Sequence, residues 1–247
     1  MDDYLIIPLI QQLQSLNGET LSILSFVVGV CLMLLMFRIF GLTGLYIYSS
    51  TATITANIQV LKLMSFSSMT EPVALGTATF STIFLCNDII TEHFGKEAAK
   101  RNIWLSFATQ ILVTITMILV IGFKPSENDK AHEAISLLFL PAPRILIASL
   151  SAFVISQLCN INIYSAISKL CKEKMMWLRS NVALMVSELI DNIIFSTLAW
   201  VILSPDPVTT TTLIYTYILG TYILRVLFAI FSTPIIYWSN YLKPEES

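Results

Sequence analysis

Charged and amide side chains set deep inside apolar runs are the feature of this sequence that could do chemistry. Asp88 and Glu92 lie in the stretch from Gly76 to Arg101, Glu188 and Asp191 in a second run, and Arg225 near the middle of a third. A carboxylate at the centre of a membrane-spanning helix costs roughly 2.5–3.5 kcal/mol on insertion scales, so such groups face protein or water and commonly mark a substrate or proton path. Glu92 follows Asp88 by one helical turn, and Ser81 and Thr77 precede it at helical spacing, which makes a single polar stripe. Amides join them: Asn57, Asn87, Gln157 and Asn160, with Tyr164 continuing the face of the last two. Four acids against one central arginine leave at least one buried carboxylate without a protein counter-charge. Such a group stays protonated or meets a cation or hydrogen-bond donors from a ligand. The plainer alternative is ion pairing that locks the helices together, for example Arg225 with Glu188.

These residues need helices in a bilayer to hold them. Of 247 residues, 55% are hydrophobic and 12% charged, and the mean hydropathy is +0.76, the balance of an integral membrane protein. The expected fold is all-α, a polytopic membrane helix bundle of about seven transmembrane helices. The spans fall at residues 20–37, 41–61, 72–90, 103–123, 145–167, 181–203 and 213–238, each long enough for a hydrocarbon core of about 30 Å. Residues 5–16 read as an amphipathic surface segment or an unstructured tail, with Leu9, Leu13 and Leu16 on one side. Residues 124–133 read as a charged connector, and Lys169, Lys172, Lys174 and Arg179 as a basic loop.

The second span carries Tyr46, Ser50, Thr53 and Asn57 on one face, which suits interhelical hydrogen bonding better than ligand contact, Asn57 excepted. Its Ala52-x-x-x-Ala56 pair is a close-packing signal. Basic residues set the expected orientation: with the N-terminus outside, nine fall on the cytoplasmic side (Arg38, Lys96, Lys100, Arg101, Lys169, Lys172, Lys174, Arg179, Lys243) and four outside (Lys62, Lys124, Lys130, Arg144). The start, Met1-Asp2-Asp3, lacks the positive region of a secretory signal, so the chain is expected to be retained whole.

Several functions are disfavoured. A net charge of −2 gives no basic surface for nucleic acid. Cys31, Cys86, Cys159 and Cys171 have no CxxC spacing and read as packing residues, so no metal is expected. No HExxH, GxGD-like or nucleotide-loop motif is present, so neither an enzyme nor a cofactor is expected.

The chain resembles the queuosine precursor transporter family, also called the VUT or DUF165 family. The resemblance rests on three blocks in order. Asn57 and Gly76 lead to Phe84-Leu85-Cys86-Asn87-Asp88-Ile89-Ile90-Thr91-Glu92, Phe94-Gly95 and Ala98-Ala99-Lys100-Arg101. Arg144-Ile145-x-x-Ala148-Ser149 leads to Gln157-Leu158 and Tyr164, and Trp177-Leu178-Arg179-Ser180 to Ile190-Asp191. It implies a six-helix core at 39–247, with residues 1–38 and their span as an N-terminal extension. Glu188 stands where a neutral polar residue is expected in many relatives. The implied activity is uptake of a deazaguanine base, queuine or another queuosine precursor, across a bacterial cytoplasmic (inner) membrane for transfer RNA salvage. One carboxylate can accept adjacent ring and exocyclic N–H donors of such a base, while an amide or arginine serves its carbonyl. Asp88 or Asp191 suits the first role, Gln157, Asn160 or Arg225 the second, and Phe84 or Tyr164 can stack on the ring. The alternative is a substrate-binding subunit docked on a separate ATP-driven energising complex, with the Ala52/Ala56 face as its support; the same kind of pair also packs copies of one chain.

Overall fold

A computed structural model describes residues 3–66, 73–127, 129–140, 143–172, 174–204 and 206–242. Helix α1 (Asp3–Gln14) is followed by α2 (Gly18–Gln59), a two-stranded antiparallel ribbon of β1 (Leu63–Met64) and β2 (Val73–Ala74), α3 (Thr77–Phe94) and α4 (Lys96–Ile121). Then come α5 (Ala131–Phe139), α6 (Pro143–Leu170), α7 (Met176–Ile202) and α8 (Thr210–Leu242). Met1, Asp2, Pro72 at the start of the third expected span, and Lys243 lie outside the described residues, as does the side chain of Arg144.

Helix α2 has 42 residues, about 63 Å if straight, or twice the hydrocarbon core. It does not run straight. Gly41 takes φ 57°, ψ −134°, a conformation costly for any residue with a Cβ, and breaks the helix into arms 18–40 and 42–59. The arms fold back on each other: a Cβ on Gly29 would lie 3.2 Å from the Tyr48 hydroxyl, although a continuous helix would separate these residues by about 28 Å. A Cβ on Gly44 would sit 2.0 Å from the Met36 carbonyl oxygen, so the hairpin closes only because residue 44 has no side chain. At the start of α2 the Asn17 side chain accepts from the Thr20 amide at 3.1 Å, a regular N-cap.

Five helices, α2, α4, α6, α7 and α8, are long and apolar enough to cross a membrane. The hairpin makes α2 two crossings, and α3 supplies another, running from Gly76 beside Ala56 to His93 beside Ser239 at the opposite end. Seven crossings result among the described residues, in agreement with the expected polytopic bundle. Helix α3 is flanked by Gly76 (φ 105°) and Gly95 (φ 84°), which make the turns into and out of it. It packs against α2, α4, α6, α7 and α8, and Ile83, Phe84, Leu85, Cys86, Asn87, Asp88, Ile89 and Ile90 are all buried. Its polar stripe therefore meets protein, as the cost of charge in lipid requires. Large apolar side chains of the outer helices point away from the core, among them Leu35 and Ile39 of α2, Leu112 and Leu119 of α4, and Ile230 and Phe231 of α8.

Two local readings are corrected. The segment after 130 is not simply a connector: α5 forms there, its N-terminus capped by Asp129, whose carboxylate accepts from the amides of Ala131 (3.0 Å) and His132 (3.1 Å), and it exposes Leu137 and Leu138. Ala52 and Ala56 are buried within the chain's own core and present no outward docking face. The polar face of the second arm does act between helices: Tyr46 donates to the Ala98 carbonyl, and Ser49 and Ser50 meet Ser106. Cys86 is buried, donating to the Leu45 carbonyl at 3.6 Å, while Cys31 is exposed.

Candidate functional site

Polar side chains of α3, α6, α7 and α8 form a buried column along the bundle. Toward the end at which α3 meets α4, Glu92 is held by two other helices: the Tyr164 hydroxyl of α6 donates to it at 2.9 Å, and Arg179 of α7 pairs with its other oxygen while donating to Ser168 at 2.8 Å. The Arg179 guanidinium also lies 5.4 Å from the centre of the Tyr164 ring. One turn along α3, Asp88 is fully buried and accepts from Asn160 Nδ2 at 2.7 Å and Ser180 Oγ at 2.8 Å, while Ser187 donates to Asn160 at 3.0 Å. Both Asp88 oxygens are thus occupied by neutral protein donors.

Asn87, beside Asp88, points to another pair of helices. Its Nδ2 donates to Gln157 Oε1 and its Oδ1 accepts from Asn102 Nδ2 at 2.7 Å; Asn102 also donates to Ser49 at 2.9 Å. Further along, Asp191 accepts from Ser156 at 3.1 Å and pairs with Arg225 at 2.9 Å, and Glu188 accepts from Ser81 at 2.8 Å. Phe84 packs on Leu184 and Ala229 between the Asp88 and Glu188 levels. Asn57 stands apart, accepting from Ser149 and donating to its own helix at Thr53 and, at 3.5 Å, to Gln110.

The sequence-derived residues thus meet in one bundle interior, but as linked layers. The ion pairing offered as the plainer alternative does occur, but Arg225 takes Asp191 rather than Glu188. Asp88 and Asp191, assigned to a ligand's donor edge, have both oxygens used by protein donors. Arg179 is not part of a solvated loop: it is 3% exposed and neutralises Glu92. Its place at the first turn of α7, next to lysines, hid this, although the Trp177-Leu178-Arg179-Ser180 block contained it. The missed Asn102 lay on a legible stripe, Asn102, Ser106 and Gln110 at every fourth position of α4, all buried.

Not every group is satisfied. Among the described residues Gln157 Nε2, Glu188 Oε2, Arg179 Nε and Arg225 Nε are buried without a hydrogen-bond partner. Leaving such groups unmade costs about 1–3 kcal/mol each, more when charged. A cavity of about 140 Å³ lies at the ribbon end of the bundle, lined by Ser22, Gln59, Thr77, Ala78, Leu224 and Phe228 among others. None of the sequence-derived site residues lines it. Among the described residues no group of three or more His, Cys, Asp or Glu is arranged to hold a metal ion.

A helical membrane bundle whose interior is threaded by acids, amides and arginines suits a substrate or proton path across the membrane. The chain belongs to the putative vitamin uptake transporter family, which matches residues 74–239. It is 30% identical over 221 residues, 89% of this chain and 93% of the relative, to a protein of Bacillus subtilis (strain 168) named probable queuosine precursor transporter. A Haemophilus influenzae (strain ATCC 51907 / DSM 11121 / KW20 / Rd) protein of the same name is 28% identical over 126 residues, 51% of each chain. No solved structure matches the chain significantly.

Proposed function

We propose that this chain is a carrier that imports a queuosine precursor, a deazaguanine base such as queuine, for salvage into transfer RNA. The observation that carries this reading is the set of unsatisfied donors and acceptors held at membrane depth, Glu188 Oε2, Arg225 Nε and Gln157 Nε2, in a chain similar over nearly its whole length to a relative of that name. A guanine-like edge with N–H donors beside a carbonyl supplies the missing partners of both kinds. Transport rather than catalysis is supported by the family, and the buried acids suit a carrier that moves a proton with its cargo.

The membrane is the bacterial cytoplasmic one on this reading. The end of the bundle holding Arg38, Lys96, Lys100, Arg101, Lys169, Lys172 and Lys174 faces the cytoplasm, as basic loop residues favour. The N-terminus is then outside and the C-terminus inside. The alternative of a capture subunit for an ATP-driven complex loses its support, because Ala52 and Ala56 pack inside the chain.

Salvage in a bacterium that neither makes queuosine nor imports its precursors tests the reading. Cells given this gene and the matching insertion enzyme should form queuosine in transfer RNA when fed a precursor, and a protonophore should abolish accumulation of the base. Failure with every precursor, with the protein verified in the membrane, would reject it.

A further inference from the structure

Of the four acids in the bundle interior, three are used by the protein itself. Glu92 is paired with Arg179, Asp191 with Arg225, and Asp88 has one donor on each oxygen, from Asn160 and Ser180. Glu188 differs: it is 1% exposed, Ser81 serves its Oε1, and its Oε2 is buried without a hydrogen-bond partner. Burying a carboxylate oxygen without a donor is unfavourable, and native interiors rarely leave one so unless a ligand or water completes it.

A donor with the same deficit is close by. Arg225 Nε is also buried without a partner, and Arg225 pairs with Asp191, one turn along α7 from Glu188. Asp191 accepts from Nη1 of Arg225, which fixes the guanidinium plane and leaves the Nε edge for another acceptor. Together these two residues offer one acceptor and one donor, with the Phe84 ring packed in the next layer.

A cavity lies one helical turn from the Ser81 level. The cavity at the ribbon end is walled on α3 by Thr77 and Ala78, one turn before Ser81, and on α8 by Leu224 and Phe228, which bracket Arg225. Neither Glu188 nor Arg225 lines this cavity, which ends one turn short of Ser81 on α3 and beside Arg225 on α8. Asp88 lies about two helical turns further along α3 than Ser81, beyond Phe84.

We propose that Glu188 and Arg225 read the hydrogen-bonding edge of the imported base: Glu188 Oε2 accepts from its exocyclic amino group, Arg225 Nε donates to its carbonyl, and Asp191 positions the arginine. This deepens the transport reading and rests on it. It moves the recognition role from Asp88 and Asp191 to a different acid.

Uptake of radiolabelled queuine and of an analogue lacking the exocyclic amino group tests the assignment, in cells without another importer. A site built to pair a polar group discriminates strongly against a ligand that lacks it. Wild-type protein should therefore show a KM at least about tenfold lower for queuine than for the analogue. Glu188→Leu, which has no acceptor, should raise the KM for queuine by about tenfold or more and leave that for the analogue within about twofold, so that discrimination collapses. Glu188→Asp keeps the acceptor and should retain discrimination even where its KM rises, a pattern that loss of folding does not produce. Retained discrimination in Glu188→Leu, or equal losses for both compounds, would overturn the assignment and leave the transport reading standing. Absence of uptake of either compound by verified wild-type protein would overturn both.

Discussion

Replacing Arg179 by methionine removes the cation from a buried ion pair while keeping much of the side-chain volume. Glu92 would then keep the Tyr164 hydroxyl as a donor but lose its counter-charge, and Ser168 would lose its arginine partner. Breaking a buried pair by deleting one member costs about 3–5 kcal/mol, because the other charge stays behind. Glu92 retains 19% of its side-chain exposure against 3% for Arg179, so water relieves part of the penalty and the expected loss is near the lower limit, about 3 kcal/mol. For a chain of this size that corresponds to a fall in Tm of about 6–12 °C. Thermal unfolding of the purified protein in detergent, followed by the loss of the monodisperse chromatographic peak, reads this directly. The double variant Arg179→Met/Glu92→Leu removes both charges and should regain most of the loss. A single variant within about 2 °C of wild type, or a double variant as unstable as the sum of the singles, would refute the buried-pair argument.

Further outcomes follow from the same structure. Gly44→Ala places a Cβ against the Met36 carbonyl and should cost about 3 kcal/mol or more by overpacking, read as lost folded yield in detergent extracts. Asn87→Ala strips partners from Gln157 and Asn102 at once, and should lower stability by about 2–4 kcal/mol, measured by the same unfolding assay. Cys171, in the turn between α6 and α7, should resist a membrane-impermeant thiol reagent added to intact cells and react once the membrane is opened; labelling in intact cells would invert the proposed orientation.

The buried polar column was legible because its members break apolar runs. Asp88 and Glu92 stand out in a stretch that is otherwise oil-like, and their turn spacing identified the face that the structure turns to α6 and α7. The second arm's polar face was also readable, since Tyr46 and Ser50 have no reason to face lipid. Partner choice was not legible. Glu188 and Asp191 both share a face of α7, and only the placement of α3 and α8 gives Ser81 to one and Arg225 to the other. Arg179 was hidden by context, because an arginine one turn into a helix and next to lysines has the same local signature whether it faces water or Glu92. Gly41 divided two apolar runs in the sequence beside Arg38, so the two crossings were expected. The tightness of the hairpin at Gly44 depends on three-dimensional backbone approach, which no periodicity encodes.

The enclosure of α3 has a mechanical consequence. A bilayer that thickens, thins or changes composition presses on surfaces that touch it, and helices answer by tilting or bending at a cost of fractions of a kcal/mol per Å. Those surfaces here belong to α2, α4, α6, α7 and α8, all of which expose large apolar side chains. Helix α3, wrapped by five neighbours, has protein as its solvent. Its residues are therefore held to constraints of volume and hydrogen-bond geometry rather than of oil solubility, and changes in the lipid reach Asp88 only as displacements of the helices around it.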